Sequence, residues 1–408
     1  MTSTSAAAHR STHRPTHRPG RRARAALATG AALATAGGAA LLAGAPVASA
    51  APASPAAAAS ASVRAASTAV FVQSDAPGGN TVVAYHRAPD GSLVQRGVYP
   101  TGGRGGVLDG SVVDHLASQG SLAYDRHDHL LYAVNAGSDT VTVFAVRGER
   151  LTQLQVIGSG GSFPVSIAVR GGLVYVANAL DGGSIQGFAR AGDRLVRVPS
   201  WRRGLGLDPD AAPQFTHTPG QISFTPDGSK LVVTTKAAAD TIDVFPLDAF
   251  GGPSARPVVT ATPGAVPFGF VFDAAGRLQV TEAGPNAVAT FAVRPDGRLT
   301  PVGQAATGQA ATCWIVRAGD HLYASNAGSG TLSGYRADAA GGLTALGETG
   351  TGGGTVDTAV SSDGRFLYAQ TGATGSVDAF RLGEDGSLTP VGTVTVPDAV
   401  GGEGIVAG

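Results

Sequence analysis

Glu282 and Lys236 stand out because they interrupt a recurring strand that ends in asparagine in three other units. Leu131-Tyr132-Ala133-Val134-Asn135, Val174-Tyr175-Val176-Ala177-Asn178 and Leu322-Tyr323-Ala324-Ser325-Asn326 show the pattern; Glu282 takes the asparagine's place, and Lys236 lies beside it. An asparagine there suits the turn that follows, an advantage a glutamate lacks. A carboxylate so placed can act as a general base, and an ammonium or amide nearby can polarise a carbonyl. Two stretches of extra length add further groups. The first, 101–120, carries Arg104, Asp109, Asp114 and His115; the second, 199–220, carries Trp201, Arg202, Arg203, Asp208, Asp210, Gln214 and His217, with Gln221 just beyond. Glu282 and His217 are the catalytic candidates. Gln221, Lys236, His115, Arg202, Asn135, Asn178 and Asn326 are the ligand-binding candidates.

Each has a plainer reading. The three asparagines serve as turn residues, or else as amide donors or cation ligands. His217 packs on Phe215, His115 follows a short helical turn over 112–117, and Arg202-Arg203 is a solvated pair. Cys313-Trp314 starts a strand and reads as a buried thiol beside a packed indole. His127 and His129 could hold a metal, but no third ligand is in view. No metal site and no cofactor is expected.

The elements that must position these residues repeat seven times after residue 68. Taking Val70, Tyr132, Tyr175, Val232, Gln279, Tyr323 and Tyr368 as landmarks, most spacings are 43–47 residues, with 62 and 57 at the two long stretches. Each unit holds short runs of β-branched and aromatic residues broken by turns such as Pro89-Asp90-Gly91, Pro226-Asp227-Gly228 and Pro295-Asp296-Gly297. Asp-Gly supplies the positive φ of a tight hairpin. Four strands in 40–50 residues mean a propeller blade, so the expectation is all-β: a seven-bladed propeller of four-stranded antiparallel blades. The first unit lacks an inner strand, and Gly404-Ile405-Val406-Ala407 has no unit after it. The C-terminal strand should therefore complete blade 1. Strand alternation puts both long stretches on the same face as the asparagine hairpins, at the mouth of the central channel. Long loops on a rigid scaffold are where sites usually sit.

The 408 residues include 60 glycines and one cysteine, with 29 basic and 29 acidic side chains. That composition excludes a coiled coil, a disulfide scaffold and a charge-rich disordered chain. Residues 1–50 hold six arginines and no acid, ahead of an Ala/Leu/Gly stretch and Ala48-Ser49-Ala50. They read as an export signal of the general secretory or twin-arginine type, 51–67 as an Ala/Ser/Pro-rich linker, and 68–408 as the propeller. The location expected is secreted. Without residues 1–50 the chain carries 23 basic and 29 acidic groups, a net of −6. That balance gives no footprint for nucleic acid or anionic membrane. The expected partner is a small molecule at the channel mouth or a protein, and the expected state a monomer.

Phe224-Thr225-Pro226-Asp227-Gly228 leading to Leu231-Val232-Val233, then Thr241-Ile242-Asp243-Val244-Phe245, and Asp296-Gly297-Arg298-Leu299-Thr300-Pro301-Val302-Gly303 resemble the lactonase family of seven-bladed propellers. That family includes 6-phosphogluconolactonases and carboxymuconate cycloisomerases. The resemblance covers about 69–407 and implies lactone chemistry by His, Arg and Glu at the top of the channel. Glu282 matches the family's glutamate and Gln221 its glutamine. The sequence departs elsewhere: Gly220 replaces a histidine, Phe268-Gly269 an Arg-His pair, and Thr355-Val356 a Pro-Arg pair. An anionic substrate calls for such arginines. Two functions stay open: an exported hydrolase of an unphosphorylated lactone or related ester, or a non-catalytic propeller binding a ligand or protein on its top face.

Overall fold

The computed structural model describes residues 68–408. The export signal and linker expected over 1–50 and 51–67 lie outside the described residues. The strands form seven antiparallel sheets, six of four strands and one of five. These are the seven blades, numbered here in chain order. Blade 1 is completed by the C-terminus as the sequence predicts. Ile405–Ala407 is its innermost strand, pairing antiparallel with Ala69–Gln73 in the register Val72↔Ile405, Phe71↔Val406 and Val70↔Ala407.

The repeat motif explains how blades hold one another. The second strands are buried along their whole length, as in Leu130–Asn135 and Phe366–Thr371, save for Leu173 at the start of the blade 3 strand. In three blades the strand's tyrosine sends the hydroxyl to a turn of the next blade, whereas the Tyr132 hydroxyl of blade 2 is buried without a partner. Tyr175 donates to the Gly251 carbonyl at 2.5 Å, Tyr323 to Gly386 at 2.8 Å and Tyr368 to Gly91 at 3.0 Å. Those glycines have φ of +92°, +86° and +97°, a region closed to most side chains. Tyrosine and turn glycine thus form one device that buries an aromatic ring while satisfying its hydroxyl.

Blade 3 departs from the pattern. Its outer strand is split into Arg194–Arg197 and Arg203–Gly204, both pairing with Ser184–Ala191. Between the pieces lies a single turn, Pro199–Trp201. Pro199 has no N–H for the ladder, and Trp201 turns back to stack on Tyr175, centroids 6.0 Å apart. Part of the second long stretch is therefore a broken outer strand. The helical turn expected over 112–117 is absent; that segment is bends.

Candidate functional site

The two long stretches meet on one face. The Asp109 N–H donates to Gln214 Oε1 at 3.2 Å, and the Phe215 N–H to the Asp109 carbonyl at 3.3 Å. From there the first stretch turns inward. Ser118 Oγ donates to the Val165 carbonyl of blade 3 at 2.8 Å, and the Gln119 N–H to the Gly220 carbonyl of blade 4 at 2.9 Å. In blade 6, Gln119 Nε2 donates to the Ile315 carbonyl at 2.8 Å, and Trp314 Nε1 to the Ser118 carbonyl at 2.6 Å. The Gly120 N–H donates to Glu403 Oε1, beside the closing strand, at 2.9 Å. A segment bonded to innermost strands so far apart around the ring lies on its axis. Residues 113–121 plug the top of the central channel.

The plug packs against the positions where the sequence departs from the motifs it resembles. At Gly269, where the family pattern has histidine, a Cβ would lie 2.1 Å from Gln119 Oε1. Phe268 and Val356, at the arginine positions, are buried with Trp314, and Val113 of the plug packs against them. The Phe268 and Trp314 rings meet edge to face at 4.9 Å. Phe268, Trp314, Val356 and Val113 thus form an apolar socket.

Lys236 belongs to this socket and not to an open mouth. It is 2 % exposed, bonds the Ala117 carbonyl through Nζ, and sits 5.0 Å from the centre of the Phe268 ring. Burial pushes its pKa down, against the pull of Asp114. Gln221 braces neighbouring blades, its Oε1 accepting the Phe270 N–H at 2.6 Å. His115 is half-buried on Gly401, whose carbonyl accepts its backbone N–H at 2.8 Å; its ring Nδ1 has no partner, and burial lowers its pKa. Arg202 is exposed on blade 3 and donates through Nε to the Gly160 carbonyl at 3.2 Å.

The asparagines have internal work. Asn135 Nδ2 reaches Thr140 Oγ1 at 3.0 Å and Thr142 Oγ1 at 2.9 Å; Asn326 Nδ2 reaches Thr331 Oγ1 at 3.0 Å and Ser333 Oγ at 2.9 Å. Asn178 is equally buried, with no side-chain partner. His217 lies in the second long stretch, its Nδ1 2.9 Å from the Pro213 carbonyl and 2.8 Å from Thr216 Oγ1. It lines a shallow recess with Asp181 and Gln214, while Glu282 lines a different cleft.

Four buried carboxyls surround the plug, Asp75, Asp114, Asp357 and Glu403, and of these the sequence reading singled out only Asp114. Asp114 accepts the Leu116 and Ser118 N–H groups, both at 2.9 Å. Asp75 accepts the Glu403 N–H at 2.8 Å, and Asp357 the Thr358 N–H at 2.9 Å. Burial pushes all four pKa values up, Asp75 to about 8; repulsion from neighbouring carboxyls adds to the rise at Asp75, Asp357 and Glu403, while Lys236 pulls against it at Asp114. Among the described residues no group of three or more His, Cys, Asp or Glu is arranged to hold a metal ion.

Glu282 ends the strand Leu278–Glu282 of blade 5. It is 4 % exposed, yet it lines a cleft of about 520 Å³ with Thr262, Pro263, Gly264, Pro285 and Gln304. Gln304 donates an amide N–H to its Oε2, and burial raises its pKa. The register Glu282↔Ala287 and Ala289↔Gln304 sets the pair on the flank of its own blade. The carboxyl is thus held in place, dry, and next to an open space.

Residues 279–402 match the family model described as lactonase, 7-bladed beta-propeller. No curated protein matches the sequence. Among solved structures, a periplasmic gluconolactonase of Pseudomonas aeruginosa is 19 % identical, with a TM-score of 0.65 over 83 % of this chain and 98 % of that one. A provisionally assigned 6-phosphogluconolactonase of Bacteroides fragilis is 20 % identical, with a TM-score of 0.65 over the same shares. A protein of Lactobacillus plantarum is 19 % identical, with a TM-score of 0.68, again over 83 % and 98 %. At these identities the structural likeness speaks for the fold.

Proposed function

Starting from a lactonase-type seven-bladed propeller, we propose an exported hydrolase that opens an unphosphorylated lactone or related ester in the Glu282 cleft. The observation that carries this reading is Glu282 itself: a buried carboxyl with a raised pKa, fixed by Gln304, facing a cavity large enough for a small lactone. A perturbed carboxyl in a cleft is the usual mark of a reacting group. Raising its pKa makes it a better base near neutral pH. Glu282 takes a proton from water as the water oxygen adds to the lactone carbonyl. Gln304 has a second amide N–H for the developing oxyanion. Collapse breaks the bond to the ring oxygen, which recovers the proton. Glu282 is the charged residue in the cleft lining, so an uncharged substrate fits and a phosphorylated one is repelled. His217 and Lys236 take no part.

A second reading, a propeller that binds without turnover, draws on the filled channel, because the plug occupies the place where the family resemblance sets the chemistry. One experiment separates the two. Protein recovered from the medium, expected to begin at Ala51, is assayed on uncharged five- and six-membered lactones. For the turned-over lactone, kcat/KM should fall about 10²–10⁴-fold in Glu282→Gln, the usual worth of a general base. Absence of turnover on every lactone, or equal rates in both proteins, removes the hydrolase reading.

A further inference from the structure

Blade 7 carries the counterpart of the Glu282 cleft with different chemistry. Its register is Thr371↔Ser376 and Asp378↔Thr393. Thr371 therefore takes the place of Glu282, Asp378 that of Ala289, and Thr393 that of Gln304. The cleft is about 460 Å³; Thr351, Thr374 and Thr393 bring hydroxyls to its rim, while Thr371 and Ser376 are buried below, their hydroxyls bonded inside the protein. Asp378 stands among them, and Phe380 and Pro390 supply an apolar side. No lysine or arginine appears among the lining residues.

We infer that this cleft binds a small uncharged polyol of monosaccharide size through Asp378 and the surrounding threonine hydroxyls. The argument is one of matching groups. A hydroxyl both donates and accepts, so Thr351, Thr374 and Thr393, each bonded within the protein, keep a lone pair for a ligand hydroxyl. A carboxylate accepts the strongest of those bonds. Asp378 is preorganised: Oδ1 accepts from Thr393 Oγ1 at 2.6 Å and Oδ2 from the Gly352 N–H at 2.7 Å. Each oxygen keeps a further lone pair for a ligand hydroxyl. Holding the carboxylate beforehand spares the ordering cost on binding. The apolar side suits the C–H faces of a sugar ring, and the lone carboxylate turns away anions. Gly352 keeps the space open, since a Cβ there would lie 3.2 Å from Thr371 Cγ2 and point its side chain at the cleft wall. The site is separate from Glu282 and does not rest on the hydrolase reading.

Saturation-transfer NMR and titration calorimetry with glucose, galactose and myo-inositol, with gluconate as the anionic control, test the inference. At least one uncharged polyol should bind, with gluconate about tenfold weaker or more. Asp378→Ala should weaken that binding about tenfold or more, the size of one charge-assisted hydrogen bond. Thr374 is exposed; folded Thr374→Arg, which gives up the bond to Thr371 Oγ1, should abolish binding by filling the mouth. Glu282→Gln should bind as the parent does, which keeps this outcome apart from that of the lactone assay. The inference is overturned if none of the three polyols binds, if gluconate binds as well as they do, or if Thr374→Arg or folded Asp378→Ala binds unchanged.

Discussion

Gly269 shows what one missing side chain permits. Without a Cβ it lets Gln119 enter the ring and bond both backbone groups of Ile315, at 2.8 and 3.0 Å. Gly269→Ala puts a carbon 2.1 Å from Gln119 Oε1, and the amide must leave both partners. We expect a loss of about 1–3 kcal/mol, as for other overpacked cores. Gly303→Ala is the control, since nothing lies within 4 Å of a Cβ there. Urea denaturation of the two variants measures the difference, and equal midpoints would show that the plug tolerates the methyl. At this scale the sequence was half legible. Glu282 and Lys236 were conspicuous because each breaks a repeat, and both proved buried and perturbed. Their settings differ because Lys236 points under a loop from another blade, which no local pattern records. Asp75, Asp357 and Glu403 drew no notice for the same reason. They stand in three separate parts of the chain, and their chemistry exists only once ring closure brings them together.

Strand-scale features were the most legible. Repeated runs of β-branched and aromatic residues, Asp-Gly turns and a missing first strand led to the closing strand that the structure shows, with Ile405 paired to Val72. The destination of the first long stretch was not legible. Its length placed it on the top face, but its descent into the channel depends on openings left at Gly269 and Gly372, where a Cβ would lie 1.6 Å from the Val113 carbonyl. Closing strand and plug are joined through Glu403: its N–H goes to Asp75, its side chain takes the Gly120 N–H, and its carbonyl accepts Ser121 Oγ at 2.8 Å. Deleting 402–408 removes these bonds and the buried side chain of Ile405, worth about 1.5–3 kcal/mol alone. It also bares the edge of Ala69–Gln73, a site for pairing between chains. The truncated protein should melt several degrees lower and scatter light on heating. A parent-like melt without aggregation would mean that the closing strand is dispensable.

Over the whole molecule, the four channel carboxyls make stability depend on pH in a direction opposite to that of exposed ion pairs. Asp75, Asp114, Asp357 and Glu403 face one another, with Lys236 and His115 the basic groups nearby and Cys313 close to Lys236. Each carboxyl holds its proton more tightly in the folded chain than in the unfolded one. Its contribution is therefore full below the ordinary carboxylate range near pH 4 and is lost as pH rises, up to about 8 for Asp75. Lys236 acts in the opposite sense, since its lowered pKa favours the folded chain as pH rises above neutral. Carboxyls held low, such as Asp227 by Thr225 and Ser229, lose their contribution only below the ordinary range. Between about pH 5 and pH 7 the channel carboxyls should dominate. The thermal midpoint should fall across that window, and amide exchange over 113–121 should quicken as charge builds around the plug. Asp75→Asn combined with Asp357→Asn leaves two groups unable to ionise, so the slope should flatten even if the variant is less stable at every pH. A parent whose midpoint is level from pH 5 to 7, or a double variant with the parent's slope, would place the dependence elsewhere. If the slope is as expected, acidity tightens the channel's closure, and the clefts on the blade flanks are the places a ligand can reach without opening the ring.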